Sequence, residues 1–401
     1  MGLTEAYIEQ TAAWGAHNYA PLPVVLERGE GAWVWDVEGR RYLDLLAAYS
    51  ALNHGHRHPR ILETLAEQAG RLTLTSRAFH DDRLGPFVQE LCTRFGYGRA
   101  LPMNTGAEAV ESALKIARKW GYERRGVPAG EADVLVFDGN FHGRTTTLVG
   151  LSSEALYRRG FGPFAPGFRR VAYGDPEAAA EAIGETTVAV LVEPIQGEAG
   201  VVVPPDGFLA RLAELCAGAG ALLVADEIQT GLGRTGRMLA SEWEGVRPDV
   251  LVLGKALGGG VYPVSAVLAD DDVMEVLTPG THGSTFGGNA LAAAVARTAV
   301  RVLDEEGLVE RAAELGPWLR DELRGIESPH VAEVRGRGLM IGIELVADSP
   351  PARHFCESLI DHGVLARDTH ERVIRIAPPL VVEPAQLERA IDALARALRA
   401  T

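Results

Sequence analysis

The sequence predicts an α/β protein built around a mixed, mostly parallel sheet with helices on its faces, and three observations support this fold class. Several short runs are continuously apolar, which is typical of strands buried on both faces of a parallel sheet. Helical patterns alternate with those runs, which favours right-handed β-α-β crossovers. The length of 401 residues is enough for a large core and for a second, smaller lobe.

The predicted large domain spans residues 46–290 and follows an N-terminal segment over residues 1–45. The N-terminal segment carries a hairpin pattern over Ala32–Leu43, with a turn at Glu38-Gly39. The clearest helix of the large domain is Ala107–Tyr122, whose apolar residues recur at helical spacing and form one stripe. The predicted strands, each a continuous apolar run, are Val134–Phe137, Val188–Val192, Ala221–Ala225 and Val250–Leu253.

The pattern changes after about residue 290, which predicts a smaller α+β domain over residues 291–401. Two long helices are expected at Ala290–Leu303 and Arg311–Leu323. The stretch Val331–Leu345 alternates as strands do, and Gln386–Arg399 has the pattern of a C-terminal helix.

Composition excludes several classes of partner and compartment. The formal net charge of -15 argues against nucleic acid or anionic lipid as the main partner. No apolar run reaches the roughly 18 residues that a membrane span needs. The cysteines Cys92, Cys216 and Cys356 form no CxxC pair, so neither a disulfide framework nor a thiolate zinc site is expected. Without a signal pattern at Met1–Glu5, we expect a cytoplasmic protein.

Lysine is rare in this sequence, which narrows the choice of an imine-forming residue. Of 39 basic residues only Lys115, Lys119 and Lys255 are lysines, and arginine stays protonated and cannot replace them in that role. Lys115 and Lys119 lie off the apolar stripe of their helix and should face solvent. Lys255 directly follows a buried strand, in the glycine-rich stretch Gly254–Gly260. Partial desolvation there would lower the pKa of its amine and favour a nucleophilic role.

Three other motifs do not carry the chemistry that they resemble. A phosphate-binding P-loop around Lys255 would need glycine and serine or threonine where the chain has Asp249 and Ala256. The stretch Gly336–Gly338 precedes its strand, whereas a dinucleotide fingerprint follows one. A metal site is not expected at His54, His56 and His58, because glycine and proline indicate a loop and no second ligand cluster is evident.

Two segments are candidates for binding a charged ligand. Thr105 and Glu108 have capping-box spacing at the start of the Ala107–Tyr122 helix, and a helix N-terminus of this kind attracts anions. A plain helix cap remains an alternative. Asp226 ends an apolar strand, where parallel sheets bind ligands, and could pair with a cation. A helix cap or a metal ligand remains an alternative there.

Taken together, these motifs resemble the class III aminotransferases of pyridoxal-phosphate (PLP) fold type I. Asp226 and Lys255 are 29 residues apart on adjacent predicted strands, as in that family, and the similarity extends from about Tyr19 to Leu380. Each motif is weak alone, but their order and spacing are specific. The residues that carry the resemblance are Thr105-Gly106, Asp226, Gln229, Lys255 and His282–Asn289.

The resemblance implies a PLP site shared between the subunits of a homodimer or a higher homo-oligomer. Lys255 would hold the cofactor covalently and later move a proton, and Asp226 would pair with the pyridine nitrogen. His142 stands where some eukaryotic members carry tryptophan. The remaining residues implied to bind the cofactor are Thr105, Gly106 and Ala107 at the phosphate, Phe141 and Ile228 on the ring faces, Gln229 at the ring hydroxyl, His142, and Ser284 and Thr285 from the neighbouring subunit.

Within that family, Asn18–Pro23, Ala48–Asn53 and Leu74–Phe79 are most similar to the members that use L-ornithine as amino donor. Such members transfer the δ-amino group to 2-oxoglutarate, giving glutamate 5-semialdehyde and L-glutamate in arginine and proline metabolism.

The same resemblance assigns substrate roles to five residues. Tyr19 and Arg144 would bind the distant carboxylate and α-amine of ornithine, and Arg375 would clamp the carboxylate next to the reacting carbon of glutamate. Glu198 would neutralise Arg375 while ornithine is bound, with Tyr49 shaping the pocket nearby. The alternatives are an ordinary ion pair for Glu198 and Arg375, core packing for Tyr19, and a phosphate or surface role for Arg144.

Other functions remain open from the sequence. Acetylornithine and 4-aminobutyrate aminotransferases share the cofactor residues but typically lack the pair Tyr19 and Tyr49. An aminomutase of the same fold would turn over without a keto acid. A non-enzymatic binding protein is disfavoured by the presence of Asp226, Gln229 and Lys255 together.

Overall fold

The strands of the computed structural model, which describes residues 2–399, form three sheets. In chain order the strands are β1 (Leu26–Glu30), β2 (Trp33–Asp36), β3 (Arg41–Asp44), β4 (Arg99–Met103), β5 (Asp133–Phe137), β6 (Phe168–Val171), β7 (Thr187–Val192), β8 (Leu222–Asp226), β9 (Val250–Leu253), β10 (Ser265–Ala269), β11 (Val331–Arg337), β12 (Met340–Leu345), β13 (Val364–Leu365), β14 (Arg367–Thr369) and β15 (Val373–Ile376).

The helices cover the faces of these sheets. Two short 3-10 helices, Ala240–Glu244 and Lys255–Gly258, lie before and after β9. In chain order the helices are α1 (Leu3–Trp14), α2 (Ala47–Ser50), α3 (Pro59–Ala69), α4 (Leu84–Phe95), α5 (Gly106–Glu123), α6 (Thr146–Leu151), α7 (Ala155–Arg158), α8 (Pro176–Ala182), α9 (Phe208–Ala219), α10 (Asp271–Met274), α11 (Ala290–Glu305), α12 (Leu308–Arg324), α13 (Ala352–Asp361) and α14 (Pro384–Arg399).

The central sheet has seven strands in the order β4-β10-β9-β8-β7-β5-β6. Neighbouring strands from β6 to β9 pair in parallel, and β10 pairs antiparallel with both β9 and β4. Every residue of β5, β7, β8 and β9 is buried, which explains their continuous apolar runs. The mixed, mostly parallel sheet and the four strands expected from the sequence are therefore confirmed.

The order of strands in the central sheet places Asp226, Lys255 and the start of α5 at one edge of the sheet. β8 and β9 are parallel neighbours, with Asp226 opposite Val252. Asp226 therefore ends β8 at the same edge where Lys255 follows β9. The helix α5 begins at Gly106, directly after β4, and packs against β9 and β10. Its N-terminus consequently lies at this edge too, where ligands of parallel sheets bind.

The second half of the chain contributes a smaller sheet and several long helices. The predicted helices correspond to α11, α12 and α14, and the alternating stretch forms the hairpin β11–β12. That hairpin belongs to the sheet β11-β12-β15-β14, in which β15 carries Arg375. A core cluster under α11 and α12 extends to this sheet through residues such as Leu319, Ile343 and Leu394.

A third sheet joins the two ends of the chain. The predicted N-terminal hairpin forms as β2 and β3, and β13 adds to β3 in parallel, with Val364 opposite Leu43. Backbone hydrogen bonds therefore connect the N-terminal segment to the C-terminal third of the sequence. The division at residues 45 and 290 stays a prediction.

The three histidines of the predicted loop, His54, His56 and His58, each contact a different residue. Over residues 2–399 no group of three histidine, cysteine, aspartate or glutamate side chains is arranged to hold a metal ion. In the same range, no helix is both long and apolar enough to cross a membrane. The ring contacts are His54 Nε2 with the Ala299 carbonyl at 2.8 Å, His56 Nε2 with Asp44 at 2.8 Å, and His58 Nε2 with Glu306 at 3.1 Å.

Candidate active site

Loops at the carboxyl edge of the central sheet enclose a cavity of about 200 Å³, which we call the main cavity. Most of the residues expected to bind a cofactor line it, together with Glu198. The lining consists of Gly106, Ala107, Phe141, His142, Gly143, Glu193, Ile195, Glu198, Asp226, Ile228, Gln229, Thr230 and Lys255.

A buried acid–imidazole pair forms the floor of the main cavity. Asp226 Oδ2 lies 2.7 Å from His142 Nδ1, and Asp226 Oδ1 accepts the Ile228 N–H at 3.1 Å. Burial by itself would lower the pKa of His142, but the hydrogen bond and charge of Asp226 raise it above its ordinary value. These contacts orient the carboxylate of Asp226, which keeps lone pairs to accept from a cationic ring nitrogen.

Lys255 reaches the main cavity from a strained backbone position. Its φ of 44° lies in the left-handed region, which a side chain other than glycine adopts at a cost. Burial lowers the pKa of its amine, while the negative charges of Glu198 and Asp226 act in the opposite direction. Its Nζ forms no ion pair or hydrogen bond with any side chain between residues 2 and 399. A lysine in this state is suited to bond covalently with a carbonyl group.

The N-terminus of α5 lines the same cavity as Lys255, through Gly106 and Ala107. The predicted capping box is confirmed: the Thr105 side chain accepts the Glu108 N–H at 3.3 Å, and Glu108 Oε2 accepts the Thr105 N–H at 2.9 Å. The next two N–H groups, of Gly106 and Ala107, have no acceptor in the described part of the chain. Free N–H groups at a helix start favour a phosphate.

Two apolar side chains, Phe141 and Ile228, contribute to the wall of the main cavity. A Cβ atom at Gly106 would lie 3.0 Å from Ile228 Cδ1, and one at Gly254 would lie 3.2 Å from Ile228 Cγ2. Glycine at these two positions therefore lets the backbone approach the Ile228 wall closely. Walls of this kind fit a planar ring.

Glu198, which lines the main cavity, forms an ion pair with Arg375. Arg375 Nη1 donates to Glu198 Oε1 at 2.6 Å, and Gln229 Nε2 donates to the same oxygen at 3.3 Å. Arg375 is only 6% exposed, and its guanidinium lies 4.7 Å from the ring centroid of Tyr49. Burial by itself would raise the pKa of Glu198, but Arg375 and Lys255 lower it below its ordinary value.

Tyr49 lies in a turn with an unusual backbone conformation. All four residues of α2, Ala47–Ser50, have positive φ, so this short element is a left-handed turn. Left-handed conformation costs a side chain roughly 1–2 kcal/mol per residue. Asp44 stabilises the start of this turn, because its Oδ1 accepts the Leu46 and Ala47 N–H groups at 2.8 and 3.0 Å. Such strain is typical of functional sites, and Tyr49, in this turn, contacts Arg375.

A second space of about 270 Å³, which we call the side pocket, adjoins the Phe141 wall. It brings together Tyr19 and Arg144, as expected, although Tyr19 is 82% exposed in the single chain and does not belong to the core. The full lining is Asn18, Tyr19, Arg144, Thr146, Val149, Tyr157 and Phe161.

Ser284 and Thr285 are not among the residues that line the main cavity of the chain described here. Ser284 Oγ instead accepts from Asn104 Nδ2 at 3.1 Å, and the Thr285 side chain is exposed. Nearby, His282 contacts Ser112 and Lys115, each at 2.9 Å. Lys115 is exposed, as expected. The role of Ser284 and Thr285 towards a neighbouring subunit stays a prediction.

Glu193 is a buried acid of the main cavity to which the sequence assigned no role. Its Oε2 accepts the Phe141 N–H at 2.9 Å. Burial and the negative charge of Asp226 raise its pKa to about 8, although His142 acts in the opposite direction. Glu193 directly follows β7, as Asp226 ends β8, so the rule that ligands gather at strand ends could have identified it.

Together these groups can hold a planar, phosphorylated ring that carries an aldehyde. Phe141 and Ile228 would contact the ring, Asp226 would pair with its cationic nitrogen, and the start of α5 would bind its phosphate. The aldehyde would then meet Lys255, and the Glu198–Arg375 pair would face the substrate.

Comparisons with known proteins show the family of this chain. A family model described as aminotransferase class-III matches residues 14–398. The chain is 54% identical over 401 residues to an ornithine aminotransferase of Brevibacillus brevis, with 100% of each chain covered.

Solved structures give the same picture. An ornithine aminotransferase of Toxoplasma gondii, with partial occupancy of PLP at its active site, has a TM-score of 0.97 and 47% identity, covering 98% of this chain and 94% of that one. An acetylornithine aminotransferase of Elizabethkingia anophelis has a TM-score of 0.90 and 45% identity, covering 99% of both chains.

Proposed function

This chain belongs to the class-III aminotransferases, and from that premise we propose that it transfers the δ-amino group of L-ornithine to 2-oxoglutarate. The products are glutamate 5-semialdehyde and L-glutamate. The observation that carries the proposal is the buried ion pair between Glu198 and Arg375 at 2.6 Å, on the substrate side of the main cavity.

As a member of this family the enzyme uses PLP, and the residues of the main cavity fit that group. The free N–H groups of Gly106 and Ala107 suit its phosphate, and Asp226 suits its pyridine nitrogen. Lys255 has a buried amine with a lowered pKa, as covalent attachment requires. We assign the ring faces to Phe141 and Ile228. Further assignments are Thr105 beside the phosphate, Gln229 at the ring hydroxyl, and His142 as the partner of Asp226.

When bound, PLP supplies an electron sink that stabilises negative charge on the carbon bearing the reacting amine. Asp226 supports this role by keeping the ring nitrogen protonated, and His142 Nδ1 holds the Asp226 carboxylate in place. Lys255 Nζ takes the proton from the substrate carbon and returns it during the exchange of the amino group. The low exposure of the site limits the access of water to these steps.

The two substrates present their carboxylates differently. Glutamate carries one next to its reacting carbon, and Arg375 is placed to bind it as a bidentate clamp. Ornithine has none at that position, so a buried Arg375 would be left without a partner at a cost of several kcal/mol. Glu198 neutralises Arg375 in that half-reaction and turns away when glutamate or 2-oxoglutarate binds.

The side pocket is assigned to the distant end of ornithine. Arg144 forms no ion pair with a carboxylate within residues 2–399, so its charge is available for the carboxylate of the substrate. Tyr19 lies in the same pocket and can donate its hydroxyl. Tyr49 packs against Arg375 and narrows the cavity on that side.

We also propose a homodimer in which Ser284 and Thr285 contact the phosphate bound by the partner subunit. The exposure of Thr285 and the position of Ser284 beside Asn104, next to the N-terminus of α5, support this arrangement. Each active site would then be complete only in the assembled enzyme.

Half-reactions followed through the visible absorbance of bound PLP test the proposal. Ornithine should convert the wild-type cofactor spectrum, and 2-oxoglutarate should restore it. Arg375→Ala should slow the glutamate half-reaction by about 100-fold or more, because a charge-assisted bidentate contact is lost, and the ornithine half-reaction far less. Equal losses in both half-reactions would contradict the assigned role of the ion pair.

Two controls complete this experiment. Lys255→Ala should abolish the spectrum of the covalently held cofactor, and an unaltered spectrum would refute the assignment of Lys255. N-acetylornithine and 4-aminobutyrate, offered to the wild type in place of ornithine, should react poorly. If either of them reacts faster than ornithine, that compound is the amino donor and the proposal of ornithine is wrong.

A further inference from the structure

Tyr157, in the short helix α7, lies between the two pockets. Its ring centroid is 3.7 Å from Arg144 Cζ and 6.1 Å from the ring centroid of Phe141, with an interplanar angle of 83°. Arg144 Cζ is also 5.2 Å from the centroid of Phe141. The three side chains therefore form one continuous cluster, from the wall of the main cavity to the side pocket.

The contact with Tyr157 determines how Arg144 can meet a ligand. A guanidinium that stacks on a ring uses its flat face and leaves its N–H donors free in the plane. Those donors match the two oxygens of a carboxylate. Arg144 is exposed and without a carboxylate partner in residues 2–399. Of the two rings that it contacts, Tyr157 is the nearer, at 3.7 Å against 5.2 Å for Phe141, and restrains its orientation more closely.

Tyr157 is suited to this task because the face of an aromatic ring attracts a cation. Burial raises the pKa of Tyr157, although Arg144 acts in the opposite direction, so its hydroxyl stays protonated. It shares the side pocket with Tyr19 and Arg144, the two residues assigned to the distant end of ornithine.

We propose that Tyr157 is a positioning residue that sets the specificity of the ornithine half-reaction by orienting Arg144 towards the substrate carboxylate. This inference rests on the proposed function. Ornithine has a single carboxylate, four bonds from its reacting carbon, and relies on Arg144 for it. Glutamate has a second carboxylate that Arg375 binds, so it depends on Tyr157 less.

The test compares Tyr157→Leu with Tyr157→Phe in the PLP-loaded enzyme. Tyr157→Phe keeps the ring and should stay much closer to the wild type than Tyr157→Leu does. Tyr157→Leu should raise the KM for ornithine about two- to fivefold, the range of a cation–π contact at an exposed site, with kcat unchanged. The KM for glutamate should move less. Unchanged ornithine kinetics, or equal losses for both substrates, would overturn the inference.

A double-mutant cycle separates positioning from a general structural role. In an Arg144→Met background, Tyr157→Leu should have no further effect on the ornithine KM, because its influence passes through Arg144. A full additional loss there would overturn the inference. If Tyr157→Leu does not fold, Tyr157→Met makes the same comparison. Wild-type enzyme that fails to react with ornithine would overturn the proposed function instead.

Discussion

At the residue scale, the surroundings of two carboxyl groups of the main cavity shift their pKa values in opposite directions. Glu198 pairs with Arg375, and its pKa falls below the ordinary value even though burial opposes this. Glu193 accepts only a backbone N–H at 2.9 Å, and burial raises its pKa to about 8. One acid therefore stays charged beside the substrate, while the other holds a proton at neutral pH.

The raised pKa of Glu193 predicts a specific dependence of stability on pH. The folded chain retains this proton up to about pH 8, whereas the unfolded chain releases it near the ordinary value of 4.5. The folded state thus binds more protons in that window, and stability falls as pH rises, by about 1.4 kcal/mol per pH unit. Glu193→Gln removes this dependence and should be stabilised relative to wild type by about 2.5 kcal/mol more at pH 7 than at pH 5.

Thermal unfolding of PLP-free protein at several pH values measures this difference. The Tm of Glu193→Gln should exceed that of wild type by a margin that grows between pH 5 and pH 8. Gln can still accept the Phe141 N–H, so the loop should keep its position. A constant margin across the range would mean that Glu193 is ionised in the folded protein.

At the element scale, β14 and β11 hold the backbone of the loop that carries Glu198. The Thr369 hydroxyl donates to the Glu198 carbonyl at 2.6 Å. Arg335 donates to the Gly200 carbonyl at 2.7 Å and to the Val201 carbonyl at 3.1 Å. With its backbone tied at three carbonyls, the loop leaves movement of Glu198 to the side chain alone.

Removing the Thr369 hydroxyl should affect both stability and substrate balance. Thr369→Val keeps the shape of the side chain but leaves the Glu198 carbonyl without its donor. The free energy of unfolding should fall by about 1 kcal/mol. A less restrained Glu198 neutralises Arg375 less well, so the ornithine half-reaction should slow more than the glutamate half-reaction. Single-turnover rates and Tm measure the two effects. Thr369→Ser, which retains the hydroxyl, should behave as wild type. If Thr369→Val has the half-reaction rates of the wild type, the hydrogen bond from Thr369 does not restrain Glu198.

At the scale of the whole molecule, one buried guanidinium joins three distant parts of the chain. Arg234 is fully buried and donates to Asn53 Oδ1 at 2.6 Å, to the Leu339 carbonyl at 2.9 Å and to the Pro378 carbonyl at 2.6 Å. These acceptors lie near Tyr49, at the β11–β12 turn and just beyond Arg375. The contacts of Arg234 therefore connect the segments that carry Tyr49 and Arg375 to the loop after β8.

Arg234→Met should leave these three acceptors unpaired and destabilise the protein by about 3 kcal/mol or more. Arg234→Lys should not rescue it, because a single ammonium cannot match the planar fork of the guanidinium. Chemical denaturation measures the change, with the exposed Arg211→Met as a matched control that should shift stability by less than about 0.5 kcal/mol. A similar, small effect in both variants would show that Arg234 is dispensable.

Much of the central sheet could be predicted because its signals are local. The continuous apolar runs identified β5, β7, β8 and β9, and the Thr105–Glu108 spacing located the start of α5. The positions of Asp226 and Lys255 at strand ends followed from the same pattern. In contrast, the addition of β13 to β3 joins residues more than 300 positions apart and leaves no periodic signal.

The sequence by itself determined the fold class, the strand-end position of Asp226 and Lys255, and the rarity of lysine that makes Lys255 distinctive. These features depend on neighbours along the chain. Only the tertiary structure decided that Glu193 keeps its proton, that Tyr157 stacks on Arg144 and that Arg234 links three segments. Burial and electrostatics act between residues that meet in space, so these properties emerge only when the chain has folded.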